Sequence, residues 1–229
     1  MSGLQSIIDN SDSIDINRRR VVGVQFTRNE IVRTSETPTR NTWKFTVNQN
    51  NGFPYETSRA ILEELDRLDR SIPQSVSFGS NPKMSWLFRY QGDMSPANIA
   101  TITVSSFIGN QLILNMPGVY IPGSKIFLPN DFIQIGGFHF PFTSTGTYTG
   151  ADIVANKLTV TTHRPNFIPN NVVNQPIVVG AGVQFKVLCT NMPTYRLVPG
   201  AFRRGSDGTV MNNARIEFDD SFEFVEYTG

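Results

Sequence analysis

The chain has 229 residues, 39% hydrophobic and 17% charged, with a formal net charge of +1. That length suffices to bury one large or two small cores, and the charge balance excludes a protein whose main partner is nucleic acid. A lone cysteine, Cys189, excludes an internal disulfide and a thiolate zinc site. Seventeen Phe, 18 Gly and 14 Pro mark a β-rich chain with many turns.

Residues 1–17 are polar, with Asp9, Asp12 and Asp15 spaced through Ser and Asn. They read as a loosely held N-terminal arm, or one that orders against a neighbouring subunit through Leu4, Ile7 and Ile8. The opening residues lack a basic region and an apolar core, so no secretory signal is expected. No run of ~18 apolar residues occurs, so no membrane insertion is expected.

Arg18, Arg19 and Arg20 precede a predicted strand over Val21–Phe26 and read as a solvated edge. A second strand spans Thr42–Val47, where alternation places Trp43, Phe45 and Val47 on one buried face. The link between them, Asn29 to Asn41, reads as a long polar loop carrying Arg33 and Arg40. A helix is predicted from Tyr55 to Arg70: Ile61, Leu65 and Leu68 follow helical spacing, Leu62 widens the stripe, and Pro73 ends it. Such a helix packs on a sheet. Met84–Tyr90 reads as a further strand.

The next stretch, Pro96 to Asn170, has 75 residues but only five fixed charges: Lys125, Asp131, Asp152, Lys157 and Arg164. Short apolar runs at Thr101–Val104, Leu112–Leu114, Phe132–Ile135, Phe138–Phe140 and Leu158–Thr161 alternate there with Gly, Pro and Asn, the pattern of a small barrel or sandwich. After it, Ile177–Val179, Val183–Cys189, Thr194–Val198 and Ile216–Tyr227 read as strands that resume the outer sheet. A hairpin is predicted over Phe202–Ala214, with turn signals at Gly205 and Asp207-Gly208. The expected architecture is mainly β: a helix-covered β-sandwich from residues 18–95 plus 171–229, with a small β-barrel module, 96–170, inserted into it.

Chemistry-bearing clusters are sparse. His139 and His163 lie in β segments and fall short of the three or four convergent ligands a metal needs; both read as structural. Glu217, Asp219, Asp220, Glu223 and Glu226 alternate with Phe218, Phe222 and Phe224, so they read as the solvent face of a half-buried strand rather than a glycosidase carboxylate pair. No nucleophile elbow, dinucleotide fingerprint or phosphate loop is present, and no cofactor is expected. Arg196, Arg203 and Arg204 sit close in sequence to the acidic strand. Surfaces of opposite sign suit head-to-tail contact between identical subunits; pairing within the hairpin explains them equally well.

Four patterns in succession resemble tail proteins of tailed bacteriophages, of the distal-tail or tail-tube kind. They are the polar arm feeding Trp43-x-Phe45-x-Val47; the Pro54–Leu68 helix with Ala60, Leu65 and Leu68 in register; Leu128-Pro-Asn-Asp-Phe-Ile-Gln-Ile-Gly-Gly137, where Pro-Asn-Asp replaces the usual Gly-Asp; and Tyr195-Arg-Leu, a hairpin, then Phe222-x-Phe224-x-Glu226. The resemblance implies a non-enzymatic, ring-forming virion protein assembled in the host cytoplasm. Its partners would be itself, as a hexameric ring, and neighbouring tail or baseplate proteins, with 97–167 as the inserted barrel. Candidate subunit-interface residues are Arg18, Arg19, Arg20, Arg33, Arg40, Arg203, Arg204, Asp219, Asp220 and Glu223. Two other readings are a module that recognises host-surface carbohydrate through Tyr120, Phe138, Phe140 and Tyr148, and a glycan hydrolase using the C-terminal acids.

Overall fold

The computed structural model describes residues 3–17, 22–26, 32–36, 42–49, 52–69, 71–168, 172–200, 202–204, 210–212 and 214–228. It is mainly β, with several antiparallel sheets. The chain opens with α1 (Gly3–Asp9), then β1 (Ser13–Asn17), β2 (Val22–Phe26), β3 (Val32–Glu36), β4 (Lys44–Asn48), β5 (Phe53–Pro54), α2 (Tyr55–Asp66), β6 (Gln74–Val76) and α3 (Ser85–Phe88). The middle holds α4 (Pro96–Ala100), β7 (Thr103–Ile108), β8 (Gln111–Asn115), β9 (Lys125–Phe127), β10 (Phe132–Ile135), β11 (Phe142–Thr143), β12 (Tyr148–Thr149) and β13 (Lys157–Thr161). The remainder is β14 (Ile177–Val179), β15 (Phe185–Asn191), β16 (Tyr195–Val198), β17 (Phe202–Arg204), β18 (Val210–Asn212), β19 (Arg215–Phe218) and β20 (Phe222–Glu226).

The largest sheet runs β1-β4-β20-β15-β6, all antiparallel. Its inner face follows the period-2 pattern: Trp43, Phe45 and Val47 are buried, as are Phe185, Val187 and Cys189, and Phe222 and Phe224. Leu62 and Leu65 of α2 and Leu4, Ile7 and Ile8 of α1 complete this core. α2 has no capping side chain; the Tyr55 N–H instead donates to the Ala214 carbonyl at 2.9 Å, which ties the helix start to the strand beside it.

A second apolar cluster gathers Ile102, Val104, Leu112, Leu114, Ile126, Phe127, Ile133, Ile135, Phe142, Leu158 and Val160, with Met94, Val172 and Ile177 at its borders. Its strands form the three-stranded sheets β13-β8-β7 and β11-β10-β14 and the pair β12-β9. Phe132 is the one residue of 96–170 that belongs to the first core, where its ring lies 5.5 Å from Trp43 and 5.0 Å from Phe88.

Several expectations are corrected. Residues 3–17 are not a loose arm: α1 buries Leu4, Ile7 and Ile8 completely, and β1 pairs with β4 from Ser13↔Asn48 to Asn17↔Lys44. The polar link contains β3, paired with β2 from Val22↔Glu36 to Phe26↔Val32. Met84–Tyr90 is not a strand; its centre is the short helix α3, which buries Phe88 and leaves Trp86 outside. Phe138–Phe140 follows a turn and is not a strand either. Ile177–Val179 pairs with β10 rather than the outer sheet. Ile216–Tyr227 is two strands in two sheets, broken at Asp219–Ser221.

Candidate functional site

The proposed interface residues fall into three groups. The first lies on a hairpin rooted in the large sheet. β1 and β4 pair up to Asn17↔Lys44, and beyond them β2 and β3 pair as a ribbon in which Arg33 sits opposite Gln25. Arg18, Arg19, Arg20 and Arg40 lie outside the described residues.

The second group has the same construction. β16 and β19 pair from Tyr195↔Phe218 to Val198↔Arg215, and β17 and β18 continue from Phe202↔Asn212 to Arg204↔Val210. Arg203 and Arg204 sit on the outer half. Each outer ribbon is a two-stranded sheet that joins no other sheet among the described residues.

The acidic residues are at the other end of this hairpin. Asp219 accepts a hydrogen bond from the Thr194 hydroxyl at 2.6 Å, and Asp220 accepts one from the Ser221 N–H at 2.7 Å. These two carboxylates therefore shape the turn into β20. Glu223 is exposed on the outer face of β20, opposite Thr46. Arg196 pairs within the hairpin, its guanidinium 2.6 Å from Glu217. The structure does not bring Arg203 and Arg204 to the acidic turn.

Glu226 departs from the expected solvent face. It continues the Phe222, Phe224 row into the core, is 3% exposed, and meets Arg164. The pair is bidentate: Arg164 Nη1 is 2.5 Å from Oε2 and Nη2 is 2.8 Å from Oε1. Arg164 Nη2 also donates to the Pro141 carbonyl, and the guanidinium lies over the Phe142 and Phe167 rings. Glu226 in turn accepts from the Trp43 N–H. Sequence reading missed this pair, although the alternation Phe222-x-Phe224-x-Glu226 already assigns Glu226 to the apolar side.

The histidines sit in structural settings. His163 Nδ1 accepts from the Thr143 N–H at 2.9 Å and its ring packs on Trp43; His139 Nδ1 bonds the Ser75 hydroxyl. Among the described residues no group of three or more His, Cys, Asp or Glu is placed to hold a metal ion.

A cleft of about 720 Å³ opens where the two cores meet. Ile16 of β1 and Trp43 form one wall, Trp86 and Leu87 of α3 with the following Arg89–Gly92 another, and Asn130 and Phe132 the third. Buried Asp131 ties the last two walls together: its carboxylate accepts from the Gln91 N–H at 3.0 Å and the Leu128 N–H at 2.8 Å. Desolvation raises its pKa, partly offset by these two donors. Gly180, at φ +73°, lets the backbone come so close to Tyr90 that a Cβ there would sit 2.7 Å from the Tyr90 nitrogen.

No family model matches the chain, and no curated protein matches it.

Proposed function

We propose that this chain is a virion structural protein, a ring-forming subunit of a phage distal tail, baseplate hub or tail tube, acting by self-association and by docking neighbouring tail proteins. Residues 18–95 plus 171–229 would be the ring-forming, helix-covered sandwich and the middle an inserted small barrel. The second apolar cluster, whose buried members run from Met94 to Ile177, supports that division, and β14, paired with β10, would go with the insert.

The observation that carries the reading is the pair of ribbons, β2–β3 and β17–β18. Each grows out of a core-rooted hairpin yet joins no further sheet among the described residues. An isolated two-stranded ribbon is marginally stable in water, and its open edges are templates for another chain. Two such ribbons on one subunit suit heterologous contacts around a ring. The sequence from 18 to 41 adds six Arg against two Glu, a net +4, which suits partner selection by charge.

Reversal of both Arg203 and Arg204 to Glu tests the reading. Ring or tail assembly should fail while monomer stability stays within about 1 kcal/mol, because among the described residues β17 and β18 pair only with each other. Normal numbers of complete particles would remove this ribbon from the interface.

A further inference from the structure

The cleft between the cores has a lining that the assembly reading does not use. Trp86 is 72% exposed on α3, a short helix held down by buried Phe88. An indole left on a surface whose anchor is well packed offers a flat apolar platform at little entropic cost, since its backbone is already fixed. Beside it stand the planar polar side chains of Arg89, Gln91 and Asn130, with Tyr90 and Phe132 behind. Arg89 and Gln91 are exposed. Among the described residues that line the cleft, Arg89 is the charged one.

This is the chemistry of a saccharide subsite. One face of a pyranose ring is a patch of C–H groups that packs on an indole, and its rim is hydroxyls that planar amides and a guanidinium bind in pairs. A pocket of a few hundred Å³, lined mainly by aliphatic and aromatic side chains with a few placed polar groups, is the usual form of a small-ligand site. The walls are preformed. Asp131 fixes the Gln91 backbone, the Tyr90 hydroxyl donates to the Ile126 carbonyl, and Asn130 holds φ +70° with its N–H on the Ser144 carbonyl at 2.8 Å. We infer that this cleft binds a pyranose saccharide, neutral or carrying one acidic group, with Trp86 as the stacking platform and Arg89 and Gln91 as hydroxyl or carboxylate partners. The site is distinct from Tyr120, Phe138, Phe140 and Tyr148, none of which lines it.

The chain has two tryptophans, and both emit; Trp43 is already buried whereas Trp86 is exposed, so a blue shift on binding that Trp86→Ala abolishes reports on Trp86. The full chain is titrated with neutral oligosaccharides (glucan and N-acetylhexosamine oligomers) and, separately, with uronate- or sialate-bearing ones, reading emission and heat. The expected result is a saturable blue shift in at least one arm. Trp86→Ala should weaken binding about tenfold or more, equivalent to ~1.4 kcal/mol, with Trp86→Phe intermediate. Arg89→Ala should weaken the acidic arm selectively if that arm binds. Gln91→Ala removes an exposed amide while leaving the backbone N–H that Asp131 holds, and should weaken binding with the fold intact by circular dichroism. No shift in either arm at millimolar saccharide overturns the inference. So does binding that Trp86→Ala and Gln91→Ala both leave unchanged, or an emission shift driven by protein concentration alone, which would assign Trp86 to a protein contact.

Discussion

Arg164 and Glu226 form a bidentate ion pair with both side chains fully buried, joining the charge-poor middle of the chain to the central strand β20 of the large sheet. Charges taken out of water are retained only when geometry and further hydrogen bonds compensate the desolvation. Here the guanidinium has a second acceptor at Pro141 and two aromatic faces, and the carboxylate has the Trp43 N–H. The pair therefore fixes how the two cores sit on each other. Removing one partner leaves the other charge buried, so Arg164→Met or Glu226→Leu should each cost about 3–5 kcal/mol. The double variant should recover most of that loss. Additive costs in denaturant titrations would mean that the two groups do not act as a pair.

The same pair decides how the middle segment can be excised. If it is an insertion that includes β14, replacing residues 97–179 by a Gly/Ser linker should destabilise the otherwise unchanged chain, chiefly because Glu226 is stranded without Arg164. Adding Glu226→Leu should restore a folded, protease-resistant outer domain. A chain that stays unfolded with that change would place both clusters in one cooperative unit.

Much of the large sheet was legible because half-buried strands print their burial as alternation. Trp43-x-Phe45-x-Val47 and Phe185-x-Val187-x-Cys189 are read correctly from residue type alone. Glu226 obeys the same alternation, but a carboxylate was assumed to face water; its partner lies 62 residues away, a separation no local pattern reveals. α3 was misread because Ser85-Trp-Leu-Phe88 has strand-like composition and too few residues for a helical period. β3 was missed because Val32–Glu36 is polar, and its pairing with β2 is tertiary information. Of the candidate interface, the ribbons could be guessed from turn signals only at the Phe202–Ala214 hairpin. The cleft was invisible, because its walls come from three distant parts of the chain.

The N-terminal segment should behave as core. Leu4, Ile7 and Ile8 are all 0% exposed, and Gln5 bonds the Ser77 backbone through both ends of its amide. Ile7→Ala should cost roughly 2–5 kcal/mol, as for other buried aliphatic truncations. A loss below ~1 kcal/mol by urea titration would restore the loose-arm reading.

The helix α2 offers a contrast along one element. Leu65 is 5% exposed and Glu63 faces solvent. Leu65→Ala should cost about 2–5 kcal/mol, and Glu63→Ala should stay within ~0.5 kcal/mol. Equal shifts in the denaturation midpoint would contradict the packing of α2 on the large sheet's core.

His139 introduces a pH dependence. Burial, and then the Lys186 charge, hold its pKa below the usual 6.5. As pH falls through 6.5 the unfolded chain takes up a proton that the folded chain resists, so stability is full above that value and declines below it. His139→Gln should flatten the stability profile between about pH 7 and pH 5. An unchanged slope there would assign the acid sensitivity to other groups.

The central proposal is assembly through the two ribbons, and the most direct test is the mass and shape of the purified full chain. Light scattering across a concentration series, with low-resolution electron imaging of the largest species, should show a closed hexameric ring that disappears when Arg203 and Arg204 are both reversed to Glu. A monomer at every concentration, or a ring that the reversal leaves intact, would contradict the account.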